Sequence, residues 1–344
     1  MTVSAPPRRK TPRATAPGRA DGSLLDQALA PIKQELETVT QRMLSVLSDP
    51  VASMVAYLIT AGGKRLRPAL VLLAGAAGPS PDRPALIDAA TAVELIHTAT
   101  LIHDDIIDQS ALRRAQPTFH ARWDVERTVI MGDYLYATAF TILARLRRPE
   151  LMEIMADVCQ QLSRGELREV EARYRLDLTE SEYLDIIRDK TASLIGGCCR
   201  CGAVLGGCPP DAVESWTIFG VNFGLAFQVI DDCLDLIGDQ RQLGKSIHTD
   251  LDKGALSLPM IYLTQTLSSR ERRRLFAPLR TRSTDPVFLA RVARAAQSAG
   301  SIAKAQGQAK ALVHKALEAL EGLPMNGLED ACQQLAEYAI SRRS

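Results

Sequence analysis

A chain of 344 residues with 46% apolar side chains can bury a large core, in one big domain or two ordinary ones. Its formal net charge of +1 supplies no global positive field for nucleic acid, and no uncharged apolar run reaches the roughly 18 residues of a spanning helix, which leaves at most peripheral membrane contact. Aromatics make up only 5% while Ala and Leu abound, which favours helix over sheet.

Residues 1–22 form a basic, Pro-rich tail that carries Arg8, Arg9, Lys10, Arg13 and Arg19 and is expected to be disordered. Its Arg-rich, acid-poor composition is also that of an organellar transit peptide, although the prolines oppose an amphipathic helix. Ser23 reads as an N-cap, with helical spacing at Leu24, Leu25, Ala28 and Ile32. From residue 23 to 344 helix follows helix, broken at Gly78-Pro79, Gly207–Pro210 and Gly322-Leu323-Pro324, with no strong period-2 run.

GGKRLRP at Gly62–Pro68 sets Lys64 and Arg67 three apart at a helix start, where glycines and cations make an anion site. The spacing is not that of a P-loop. A helix starting near Ala85 ends in DDIID, with Asp104, Asp105 and Asp108. At that spacing the first and last carboxylates share a face and the middle one lies on its flank, with His97 and Thr100 beneath Asp104. Arg113 and Arg114 follow, suited to bidentate capture of a diphosphate.

Further on come Lys190 with Thr191 (DKTASL), then Gln228 one turn before a second triplet, DDCLD, with Asp231, Asp232 and Asp235. Lys245 follows, and Asp239 and Asp250 read as peripheral. Cys198, Cys199 and Cys201 lie among Gly196, Gly197 and Gly202, a pattern of close helix packing rather than of zinc ligation. The seven cysteines show no paired framework, which fits a reducing, cytoplasmic setting.

Unpaired aspartates are costly on apolar helices, so the two triplets need compensation. Hard oxygens at this separation suit Mg²⁺, which keeps waters and recruits substrate phosphates. Six triplet carboxylates are matched by Lys64, Arg67, Arg113, Arg114, Lys190 and Lys245. About three Mg²⁺ with two diphosphates of roughly −3 each keep that balance. The expected fold is all-α, a single large helical bundle around a deep central cavity, with the two acidic helices facing each other.

In the order and spacing of GGKRLRP, ELIHTATLIHDDIIDQSALRRAQPT, MGDYLYA, DKTASLI and FQVIDDCLDLIGDQRQLGKSIHTDL, the chain resembles the trans-isoprenyl diphosphate synthases, or polyprenyl synthetases, over residues 25–340. The resemblance implies the isoprenoid synthase fold, a homodimer, and Mg²⁺-dependent head-to-tail condensation of an allylic prenyl diphosphate with isopentenyl diphosphate. It implies that Asp104, Asp105, Asp108, Asp231, Asp232 and Asp235 hold the metals. Arg113, Lys190, Thr191, Gln228 and Lys245 would then contact the allylic diphosphate, and Lys64, Arg67, His97 and Arg114 the isopentenyl diphosphate.

Three positions depart from that pattern: Ala255 in place of a usual Lys, Glu169 in place of a Gln, and Ala115 in place of a Gly. Lys253 is placed to substitute in part for the first. In the family, bulky residues four and five positions before the first Asp limit product length; here they are the small Thr100 and Ala99, with Ile96, Val93 and Ala92 below. A turn of about 5.4 Å matches one isoprene unit, so a long all-trans product of roughly six or more units is expected. A plug from Tyr134, Tyr136 or Phe140 would instead give farnesyl or geranylgeranyl diphosphate. A non-catalytic subunit of a heteromeric synthase and a class I terpene cyclase are the remaining readings.

Overall fold

Helix α1 (Arg19–Leu29) runs into a 3₁₀ turn and α2 (Lys33–Ser45), followed by α3 (Ala52–Thr60) and α4 (Leu66–Ala76). The structure, a computed structural model, describes residues 19–46, 51–60, 62–114, 116–237, 249–281 and 284–342. The helix expected to be capped by Ser23 starts four residues earlier, at Arg19, so the expected boundary at 22/23 falls inside α1. Extending a formed helix by a few residues needs no new nucleus, so a downstream capping residue does not fix the start.

The long helix α5 (Arg83–Ile107) has the features its sequence calls for: Asp82 accepts a hydrogen bond from the Ala85 amide at 3.2 Å, and a proline sits in the first turn. A short hairpin, β1 (Leu112–Arg113) with β2 (Gln116–Pro117), and α6 (Phe119–Arg122) lead to α7 (Val125–Arg145), capped by Asp124. Then come α8 (Pro149–Ala172) and α9 (Glu180–Ile187), the latter closed by a Thr179–Glu182 capping box. A π-turn at Arg188–Ala192 joins α9 to α10 (Ser193–Leu205), and α11 (Pro210–Ile237) follows. The remainder comprises α12 (Thr249–Asp252), α13 (Leu258–Thr266), α14 (Ser269–Leu275), α15 (Ala277–Arg280), α16 (Pro286–Ser298), α17 (Ser301–Leu320) and α18 (Glu329–Ser341).

Among the described residues two apolar clusters form the core, and α11 belongs to both. Its Trp216, Phe219 and Phe223 pack with α4, α5, α7 and α10, while Leu225, Val229 and Ile230 pack with α13, α16 and α17. The Cys/Gly-rich α10 does pack closely. A Cβ on Gly202 would lie 2.2 Å from the Val71 oxygen, and one on Gly220 would lie 2.8 Å from Cys199 Sγ, so only hydrogen fits. By length and composition α5 and α11 could cross a membrane, but 67% and 61% of those stretches are buried inside the protein, so they are core helices.

Candidate active site

The inner end of α5 forms one wall of a cavity of about 500 Å³, to which it contributes His97, Thr100, Leu101, Asp104, Ile107 and Asp108. Asp105 turns to the flank, 2% exposed, with Arg113 Nε at 2.9 Å and Nη2 at 2.8 Å from Oδ1. This is the division that i, i+1, i+4 spacing implies. The hairpin brings Arg113 back to Asp105 and leaves Arg114 in a left-handed conformation at φ 52°. Asp108 is held on both sides, by Arg173 Nη2 at 3.0 Å and Lys253 Nζ at 3.0 Å.

Gln228 and Asp232 of α11 form the facing wall of an adjoining cavity of about 120 Å³ that also includes Asp108, Lys190 and Thr191. Asp232 accepts hydrogen bonds from the Tyr183 hydroxyl at 2.6 Å and Gln228 Nε2 at 2.8 Å; the Thr191 hydroxyl donates to Gln228 Oε1 at 3.0 Å. The second triplet is therefore turned differently from the first. Its middle member faces the cavity, Asp235 is buried, and Asp231 is 40% exposed and paired with Arg342 at 3.3 Å. Gln228 and Asp232, one turn apart, form the edge of α11 that lines this cavity.

Lys190 and Thr191 sit on the π-turn, a local widening of the helix that often marks functional positions. Gly165 permits it: a Cβ there would lie 2.3 Å from the Lys190 nitrogen. Lys190 is paired with Glu166 at 2.8 Å and with Glu169, the carboxylate in place of the usual Gln. Gly132 of MGDYLYA has a similar task, since a Cβ there would lie 2.0 Å from His103 Nε2.

A smaller basic pocket of about 60 Å³ adjoins the cavity and is lined in part by Gly62, Arg65, Glu94, His97, Arg113 and Arg114. Arg67 Nη1 lies 3.0 Å from His97 Nε2, and Arg65 pairs with Glu94 at 2.5 Å. Lys64 is exposed, its Nζ 5.3 Å from the Tyr338 ring centroid.

Electrostatics follow from this enclosure. Burial, then the Arg67, Arg113 and Arg114 charges, hold the His97 imidazole well below its ordinary value, so it is neutral. Burial raises Asp104 to about 7 against the opposing pull of Lys190. Burial also raises Asp232, despite hydrogen bonds from Tyr183 and Gln228. For Lys190 burial works downward, but Glu169 and Glu166 outweigh it and the ammonium is raised.

Among the described residues no three His, Cys, Asp or Glu side chains converge as a metal cage. The donors nevertheless fit a divalent cation that brings its own water and phosphate ligands. Asp104, Asp108 and Asp232 offer hard oxygens from two walls, and burial makes an uncompensated carboxylate at Asp104 costly, which a bound cation would relieve.

Of the residues singled out from sequence, Asp104, Asp108, Asp232, Lys190, Thr191, Gln228, His97, Arg67, Arg113 and Thr100 meet around the two cavities. Lys245 and Ala115 lie outside the described residues. Ala99 is fully buried in the core, as are Ile96, Val93 and Ala92, so the expected open path below Thr100 is filled by packing. Tyr136, one of the alternative plugs, lines the cavity, while Tyr134 and Phe140 pack against the core. Sequence reasoning missed Glu166, Arg173, Tyr183 and Arg342. Each joins the site from a distant segment, and only Glu166, inside the GELRE stretch, had a local signal.

A family model described as polyprenyl synthetase matches residues 48–295. The heptaprenyl diphosphate synthase component 2 of Geobacillus stearothermophilus is 36% identical over 320 residues, spanning 93% of this chain and 97% of that protein. The geranylgeranyl diphosphate synthase of Saccharolobus solfataricus is 34% identical over 296 residues, 83% of this chain and 89% of that one. A crystal structure of a polyprenyl synthase from Caulobacter crescentus, complexed with calcium and isoprenyl diphosphate, overlays with a TM-score of 0.89 at 32% identity, covering 93% of this chain and 98% of that chain. With its two acidic walls, its basic pocket and its all-α frame, this chain belongs to the polyprenyl synthetase family and is a trans-prenyltransferase.

Proposed function

We propose that the chain condenses isopentenyl diphosphate head-to-tail with an allylic prenyl diphosphate, with about three Mg²⁺ ions, to give a long-chain all-trans polyprenyl diphosphate. The observation that carries this reading is a pair of cavities that share Asp108, Lys190, Thr191 and Gln228, with Asp104 on one and Asp232 on the other, next to an apolar wall of Leu101, Leu162, Leu194 and Phe227. The six triplet aspartates would hold the metal, which when bound neutralises charge on the departing diphosphate. Lys190, Thr191, Gln228, Arg113 and Lys245 orient that diphosphate. Arg67, Arg114, Lys64 and the neutral His97 hold isopentenyl diphosphate, with Arg65 lining the same pocket.

The apolar wall excludes water while the allylic C–O bond breaks and the new C–C bond forms. The proton then lost passes to the released diphosphate, so no protein base is needed.

The small Thr100 leaves the cavity open beside it, which supports a long product even though the turn below it is packed. Tyr136 favours a shorter one, farnesyl or geranylgeranyl diphosphate, because its ring lines the same cavity with its centroid 6.2 Å from that of His103. A cytoplasmic homodimer is the assembly proposed; a heteromer is the second reading, since the Geobacillus relative is called a component 2.

Purified protein incubated with Mg²⁺, isopentenyl diphosphate and farnesyl diphosphate should yield products longer than geranylgeranyl diphosphate, resolved by chain length. Product that stops at geranylgeranyl diphosphate would favour the shorter reading. Turnover only after a second protein is added would favour the heteromer, and no turnover under either condition would overturn the assignment.

A further inference from the structure

We infer that Arg173 and Lys253 form a paired cationic seat for the diphosphate of the allylic substrate, a role that rests on the condensation reading above. Both reach the same carboxylate, Arg173 Nη2 at 3.0 Å from Asp108 Oδ1 and Lys253 Nζ at 3.0 Å from Oδ2. Two full positive charges thus converge on one aspartate at the wall of the 120 Å³ cavity. The donors are not used up. Arg173 Nε is buried without a hydrogen-bond partner, and the next contact of Lys253 is a long one to Ser110 Oγ at 3.5 Å. A buried N–H without an acceptor is costly unless a ligand oxygen completes it.

The two cations are also built as a unit. The Tyr174 amide donates to the Gly254 oxygen at 2.7 Å, tying the segment after α8 to the turn after α12. Gly254 has φ 78°, and a Cβ there would lie 2.5 Å from the Tyr174 ring, so this junction requires glycine. The other cation of the cavity, Lys190, is already shared between Glu166 and Glu169. Ala255 lines the same cavity with only a methyl group. The positive charge absent at 255 is thus supplied by the neighbours on either side of the Tyr174–Gly254 junction, where a planar guanidinium and a point-charge ammonium together match a diphosphate.

The test is calorimetric titration of the full-length protein with inorganic pyrophosphate in the presence of Mg²⁺, beside steady-state kinetics. Lys253→Met and Arg173→Met should each weaken pyrophosphate binding by about tenfold or more and raise KM for the allylic diphosphate, leaving KM for isopentenyl diphosphate unchanged. Adding Ala255→Lys to Lys253→Met should restore binding, which a purely structural role for Lys253 would not permit. Unchanged binding in both single variants, or a loss that Ala255→Lys does not repair, would overturn the seat even while condensation proceeds. If pyrophosphate binding follows these charges but the wild-type protein forms no C–C bond, the seat stands and the condensation reading fails.

Discussion

Asp104 carries the sharpest conflict between stability and chemistry in the site. Its carboxyl is raised from 3.8 to about 7, first by burial, with Glu166 and Asp108 adding to the shift and Lys190 and Arg113 opposing it. Between those two values the folded protein holds a proton that the unfolded chain has released. Unfolding then releases protons, so the Asp104 contribution is present below the unfolded value and is lost as pH rises through the folded one. In metal-free buffer, Asp104→Asn should raise the unfolding midpoint at pH 8 relative to wild type and leave the two alike near pH 4, while abolishing condensation. Thermal unfolding followed by circular dichroism at both pH values measures this, and parallel curves for the two proteins would refute it. That Asp104 faces inward was legible, because i, i+4 spacing alone sets Asp104 and Asp108 on one face. That Asp232 lines the smaller cavity was not, since it depends on how α11 packs through Trp216, Phe219 and Phe223.

Helix α5 works as a graded wall: polar at Asp104 and Asp108, neutral and small at Thr100, then solid core. Periodicity set Thr100 on the Asp104 face, and it lines the cavity, but periodicity could not show that Ala99 and Ile96 are fully enclosed, because enclosure is decided by α4, α7 and α10. Substitutions at the two neighbours should therefore differ in kind. Thr100→Phe projects into the cavity and should shorten the product ladder with little loss of stability. Ala99→Phe overpacks a filled core and should cost about 1–3 kcal/mol of stability. Tyr136→Ala, from α7 across the cavity, should lengthen the ladder if its ring limits growth. Chromatography of dephosphorylated products with denaturant unfolding separates the two effects. A ladder unchanged by both Thr100→Phe and Tyr136→Ala would remove this cavity as the determinant of length.

Across the whole molecule, the site is a set of ion pairs between segments far apart in sequence. Arg173 and Lys253 grip Asp108, and Arg342 at the end of α18 reaches Asp231, with its guanidinium 3.7 Å from the Phe227 ring centroid. The all-α class and the paired acidic helices could be read from composition and motif. These partners could not, because nothing local in sequence joins residue 342 to residue 231. Their arrangement predicts how the protein responds to ligands. Mg²⁺ alone competes with seated cations for the carboxylates, and pyrophosphate alone meets carboxylates that repel it. Together each removes the penalty on the other, because the metal draws on the carboxylates and the anion takes up the released arginine and lysine. The unfolding temperature measured by calorimetry should therefore rise by more with both than by the sum of the two separate increments. Binding at a hundred times its dissociation constant contributes about 2.7 kcal/mol, a shift of a few degrees for a protein of this size. Simple additivity of the two increments would mean that metal and diphosphate do not share this site.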